Sequence, residues 1–162
     1  SSIKNNTEDK KQLKLRERNE KVRPHKRPKC FLMYDFEDVK KVQKLKKFLY
    51  LLERNKEIEI FDMHATEFAE NQEQTIEYQI NQADWVFCLI TFNFLFSTYD
   101  WALKARNLGK RIIPIQVNVV GLEDTFFPKL RSLPSNKKAI AEWSNEDAAY
   151  TDIVTHLRKI LK

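Results

Sequence analysis

Polar and aromatic side chains gather at three places in this chain, each directly after an apolar run. Asp35-Phe36-Glu37-Asp38 follows Cys30–Tyr34, the segment Asp62–Asn71 follows Ile58–Phe61, and Thr91–Trp101 follows Trp85–Ile90. In open α/β sheets, ligands bind outside the carboxyl ends of the strands, so the last of these segments is the first candidate for a site. Their inventory is carboxylates, hydroxyls and aromatic rings, a set suited to binding and to charge stabilisation. The three histidines are scattered and no metal-ligand spacing occurs, so no metal is expected. The only glycines are Gly109 and Gly121, which excludes a P-loop or a dinucleotide fingerprint of the usual form. Cys30 and Cys88 both sit inside predicted strands, where reduced core thiols are expected.

The elements that must position these residues follow from apolar patterning. Trp85–Ile90 is an uninterrupted apolar run, read as a strand buried on both faces. It organises the rest, and the segment from Thr91 to Ala105 forms part of the site if the strand is central. Cys30–Tyr34 gives the first strand. Val39, Val42, Leu45, Phe48, Leu49 and Leu52 then fall at helical spacing, predicting an amphipathic helix to about Arg54. Ile58–Phe61 is a second strand, nearer the sheet edge. The polar loop 62–71 is long enough to be functional. A helix is predicted over 72–82, strand 84–91 follows, then an aromatic-rich loop and a helix from about Ser97 to Asn107, stopped by Gly109.

Arg111–Val117 is a fourth strand, with Pro114 expected near its end or at a bulge. A short helix is expected within 126–130, and Lys138–Trp143 as a fifth strand. Ser144–Asp147 caps a last helix with Tyr150, Ile153, Val154, Leu157, Ile160 and Leu161 inward. The alternation predicts an α/β fold: a flavodoxin-like, doubly wound sheet of about five parallel strands with helices on both faces.

Charge divides the chain. Residues 1–29 hold 11 Lys/Arg and 4 Asp/Glu of the 29 and 23 in the whole, leaving the remainder near neutrality. The folded part is therefore not a basic domain, which argues against a nucleic-acid module. Residues 1–28 read as a basic linker or tail following an upstream domain, and 29–162 as the folded domain. No apolar run approaches a membrane span, and no secretory pattern opens the sequence, so an intracellular, cytoplasmic setting without membrane contact is expected.

Four segments, in order, resemble the TIR (Toll/interleukin-receptor) domain, prokaryotic type. Phe31–Asp38 resembles the family's F-I-S-Y-S-x-x-D strand and loop. Ile58–Asp62 resembles its second strand, ending in an aromatic residue and Asp. Phe94–Trp101 resembles the F-L-x-S-x-Y-C-W segment. Leu133-Pro134 through Trp143–Asp147 resembles the closing L-P…W-S-x-x-D segment. The resemblance implies one of two activities. Some members assemble as signalling scaffolds; others, among them effectors of bacterial anti-phage defence, cleave the nicotinamide–ribose bond of NAD+ after self-association. NAD+ would then be a substrate, with no cofactor, and the partners would be further TIR copies and an upstream sensor in the same chain.

The same resemblance assigns residues. Tyr34, Asp35, Phe36, Asp62, Phe94, Ser97 and Trp101 would line the substrate site. The loop 62–71, with His64, Glu67 and Phe68, would dock on a neighbouring copy. In catalytic members a Glu early in the third helix stabilises the ribose cation. Here Ala102 stands at that position, with Leu103 as the one-residue-shifted alternative, and no acid follows until Glu123. The first expectation is a domain whose native form cleaves NAD+ and whose Glu has been replaced by Ala102; the alternative is a natural non-enzymatic scaffold, and in both cases this copy is expected to be catalytically dead. Asp100 is the nearby carboxylate, read either as a substitute acid or as a helix cap. Simpler alternatives stand beside these roles. Tyr34–Phe36 could merely cap a helix, Trp101 could pack in the core, and His64 could be an exposed residue without a role. Trp143 is expected to cover the sheet edge. The alternation of Phe92, Phe94 and Phe96 argues that at least one faces away from the core.

Overall fold

A computed structural model describes residues 27–65 and 72–162, together with Lys10. Among them four parallel strands form one sheet: β1 (Lys29–Met33), β2 (Glu59–Asp62), β3 (Trp85–Ile90) and β4 (Arg111–Gln116), in the order β2-β1-β3-β4. Five helices connect and cover them: α1 (Val39–Arg54), α2 (Gln72–Gln82), α3 (Phe92–Ser97), α4 (Tyr99–Asn107) and α5 (Glu146–Ile160). The order reverses between β1 and β3, which places the switch point of the sheet beside the ends of those two strands.

The apolar run of β3 is central, paired to β1 on one side and β4 on the other, and its residues Val86–Ile90 are buried. This is why its pattern is continuous rather than alternating. β2 is an edge strand, as its alternation implies. The core joins both sheet faces to Val42, Leu45, Leu49 and Leu52 of α1 and to Tyr150, Ile153 and Leu157 of α5, with Phe48 stacked on Tyr150 at 5.2 Å.

Three expectations need correction. The fifth strand does not form. Lys138–Trp143 instead contains a 3-10 turn, Ile140–Glu142, in which the Glu142 carboxylate accepts from the Ala139 N–H at 2.9 Å. That local bond satisfies the backbone without a ladder. The outer side of β4 is met by a lone bridge from Leu133 to Ile115 among the described residues.

Pro114 lies mid-strand, opposite Cys88, not at a strand end or bulge. Its carbonyl accepts from the Leu133 N–H at 2.9 Å, on the side away from β3. In a strand the nitrogen and carbonyl of one residue share a side, so the missing N–H faces outward and β3 loses no bond.

Phe92–Ser97 is a helix rather than a loop. Thr91 caps it, its hydroxyl accepting from the Phe94 N–H at 3.0 Å, and the chain breaks at Thr98 before α4. The alternation of the phenylalanines is compatible with a helix. Phe92 and Phe96, four apart, share one face at 72% and 88% exposure, while Phe94 on the other face is fully buried.

Candidate functional site at the carboxyl edge of the sheet

Directly after β1, the buried Tyr34 sends its hydroxyl to Asp62 Oδ1 at the end of β2, donating at 2.6 Å. Asp62 Oδ2 accepts from the Lys46 ammonium of α1, and Oδ1 also accepts from the His64 N–H at 2.8 Å. Burial alone would raise the Asp62 pKa. The bonds from Lys46, Tyr34 and His64 outweigh it and hold the carboxyl below its usual value. His64 is half-buried rather than exposed. Its Nε2 donates to the Tyr34 carbonyl at 2.8 Å, and its ring meets Tyr34 and Phe36 edge-on at 4.8 and 5.6 Å. With the proton on Nε2, the buried Nδ1 is a lone pair without a partner among the described residues.

A second cluster joins β1 to α3. Asp35 Oδ2 accepts from the Glu37 N–H at 2.9 Å, capping a 3-10 turn at Phe36–Asp38. Its Oδ1 accepts from the Ser97 hydroxyl. That commits the Ser97 proton, so Thr98 is the donor in their 2.9 Å contact. Beneath them lies Asp38, buried, with Oδ2 accepting from the Thr91 hydroxyl at 2.5 Å and Oδ1 from the Asn93 amide at 3.4 Å. A buried carboxylate is tolerable only when so bonded. Sequence patterning places Thr91 in the candidate site and Asp38 in the polar turn after β1 without giving either a role, and it does not mark Lys46. The signal that could mark Thr91 is its helix-capping residue type, three residues before Phe94. Nothing local marks Lys46, which reaches Asp62 across 16 residues.

The structure thus brings Tyr34, Asp35, Phe36, Asp62, His64 and Ser97 to one edge of the sheet. It places the others differently. Phe94 is in the core, 6.0 Å from Phe127, and presents no surface to a ligand. Trp101 is half-buried with the Lys104 ammonium 5.5 Å from its ring, packed against the core. Asp100 is exposed in the first turn of α4, where Thr98 takes the cap position in its place. Glu67 and Phe68 lie outside the described residues. Ala102 has no exposure; with Ala105 it forms the buried face of α4, while Leu103 is half-buried against the core. A carboxylate at 102 would enter the packed interior, whereas one at 103 would stand at its margin.

Chemically, this edge offers a half-buried carboxylate already engaged with a hydroxyl, a second carboxylate neutralised by Lys46, and exposed aromatic rings at Phe36, Phe92 and Phe96. Among the described residues no cluster of His, Cys, Asp and Glu has the geometry of a metal site, and no helix is long and apolar enough to cross a membrane.

No known family profile matches the chain. A curated protein of Sinorhizobium fredii, uncharacterised y4lF, is 24% identical over 139 residues, 82% of this chain. The chain spans 43% of that relative's length. Two solved structures share the architecture. A prokaryotic SEFIR domain aligns at TM-score 0.53 with 14% identity, covering 83% of this chain and 92% of its own. The TIR domain of a Toll-related receptor from Hydra magnipapillata aligns at TM-score 0.53 with 16% identity, covering 82% and 98%. The four-stranded parallel sheet, its order and these two alignments together establish a TIR-like fold for this chain.

Proposed function

We propose that this domain acts by associating with other TIR-like domains through the carboxyl edge of its sheet, as the signalling part of a longer cytoplasmic protein. A single observation carries this reading. The helix that bears the acid in NAD+-cleaving members has Ala102 in its buried face and Leu103 packed against the core, so neither position where that acid is expected carries a carboxylate, and the helix's one acid, Asp100, lies in its exposed first turn. The exposed Phe92 and Phe96 at the same edge supply an apolar contact surface. An upstream sensor joined through residues 1–28 would control the association.

A second reading, cleavage of NAD+, is favoured by the Asp35–Ser97 pair, which sits beside α4 at this edge. Nicotinamide leaves NAD+ as a neutral base, so no general acid is required. The need is for a carboxylate beside the ribose as positive charge develops there. Asp35 is the carboxylate available for that role once a substrate hydroxyl displaces Ser97.

The test is nicotinamide release from NAD+ in a crowding agent, with light scattering on the same samples, for this chain, Ala102→Glu and Leu103→Glu. Assembly without release in all three supports the first reading. Release by Leu103→Glu or Ala102→Glu alone assigns this chain to an inactive form of an NAD+-cleaving domain. Release by the chain as it stands, lost in Asp35→Asn, establishes the second reading and overturns the first.

A further inference from the structure

At the opposite, amino edge of the sheet lies a cavity of about 820 Å³, in the size range of small-molecule sites. Its floor is apolar, from the buried Leu52 and Ile58 and the half-buried Leu161. Its rim is cationic. Arg111 opens β4 and holds its guanidinium over the Trp85 indole, 5.2 Å from the ring centroid. Lys56 comes from the turn between α1 and β2, and Lys162 from the residues after α5.

The plain explanation for such cations is that they offset the partial negative charge where helices end. That need is met by others. Arg54 stands in the last turn of α1, and Arg158 and Lys159 in the last turn of α5. The two rim carboxylates are also engaged: Asp84 accepts from the Lys29 N–H at 2.8 Å, and Glu57 lies 3.9 Å from Arg158. Lys56, Arg111 and Lys162 have no ion pair among the described residues. Lys56 further holds φ at +57°, a conformation that favours glycine, although the residue here is a lysine.

We propose that this amino-edge cavity binds a nucleoside phosphate, its phosphates on Lys56, Arg111 and Lys162 and its base against the Trp85–Arg111 pair. Excess cations at the rim match the phosphate charge, since Arg takes phosphate oxygens in pairs and Lys as a point charge. The stacked guanidinium and indole offer a flat surface for a base, and the apolar floor accepts the sugar and ring edges. The site stands apart from the carboxyl-edge cluster, so it does not depend on the proposed association or on any NAD+ cleavage.

The experiment is calorimetric titration of the full chain with ADP, with adenosine and inorganic phosphate as separate probes. ADP is expected to bind about tenfold or more tighter than either probe alone. Arg111→Ala and Lys56→Gly are each expected to weaken ADP binding by about tenfold, and Lys56→Gly also relieves the backbone, so loss of fold is no confounder. Phosphate binding as tightly as ADP would reduce the site to a general anion patch and overturn the proposal. So would no heat with ADP, or binding untouched by both variants. Binding abolished by Asp35→Asn but kept in Arg111→Ala would place the nucleotide at the carboxyl edge and overturn the proposal as well.

Discussion

Among single residues, position 102 decides more than any other. Its side chain is fully buried. Ala102→Glu should therefore destabilise the domain by about 3 kcal/mol or more, because the carboxylate has no partner there. Leu103→Glu removes a half-buried apolar contact and should cost about 1–2 kcal/mol. Denaturant midpoints of the two variants give the comparison. Near-equal losses would show that α4 presents these two positions equally to the core.

Asp62 gives a second expectation for a single side chain. Its folded pKa lies below the unfolded one, so its contribution is present above about pH 4 and is lost as pH falls through the lower folded value. Lys46→Met should cost about 1 kcal/mol at neutral pH, discounted for the solvent that reaches Lys46, and should weaken the acid dependence of the unfolding midpoint. A parallel shift at all pH values would show that Lys46 does not act on Asp62.

Between elements, two junctions hold the site together. Thr91 follows β3, caps α3 and donates to the buried Asp38. Thr91→Val keeps the shape but removes both bonds, and should cost about 2–3 kcal/mol, whereas Thr91→Ser should cost under about 1 kcal/mol. Thermal unfolding of the pair separates hydrogen bonding from packing. Gly109 ends α4 with φ at +75°, and no atom lies within 4 Å of where a Cβ would stand. Gly109→Ala should cost about 1 kcal/mol through the backbone alone, and Gly109→Asn less. The Thr91 cap goes unread in the sequence, where 92–97 reads as an aromatic-rich loop, whereas the stop at Gly109 is legible as a glycine after a helix. The break at Thr98 is not. It divides one predicted loop-and-helix into α3 and α4, and the alternating phenylalanines of α3 resemble a strand pattern.

Across the whole molecule, the sheet order puts the ends of β1 and β3 side by side, and the exposed Phe92 and Phe96 follow directly from that edge. If the domain acts by assembly, the double change Phe92→Ser and Phe96→Ser should reduce light scattering under crowding without moving the unfolding free energy by more than about 0.5 kcal/mol. Unchanged scattering would remove this edge from the contact surface. The two ends of the sheet also differ in kind. The carboxyl edge holds bonded carboxylates, whereas the amino edge holds cations around a cavity.

Periodicity and apolar runs are enough to specify the four strands that form, the long helices α1 and α5 and the parallel α/β class, because burial enforces both patterns locally. The amino-acid order also settles that no acid follows Trp101 before Glu123. The rest depends on packing between elements. Lys138–Trp143 carries strand-like residues, yet the Glu142 carboxylate satisfies the Ala139 N–H and the bridge to β4 comes from Leu133. Pro114 is tolerated mid-strand because β4 is an edge whose outer side faces away from β3. Lys46 meets Asp62, and Ser97 meets Asp35, because helix packing brings together residues 16 and 62 positions apart. Such contacts have no local signature: side chains on different elements acquire a partner only once the sheet order has set which strand ends are neighbours.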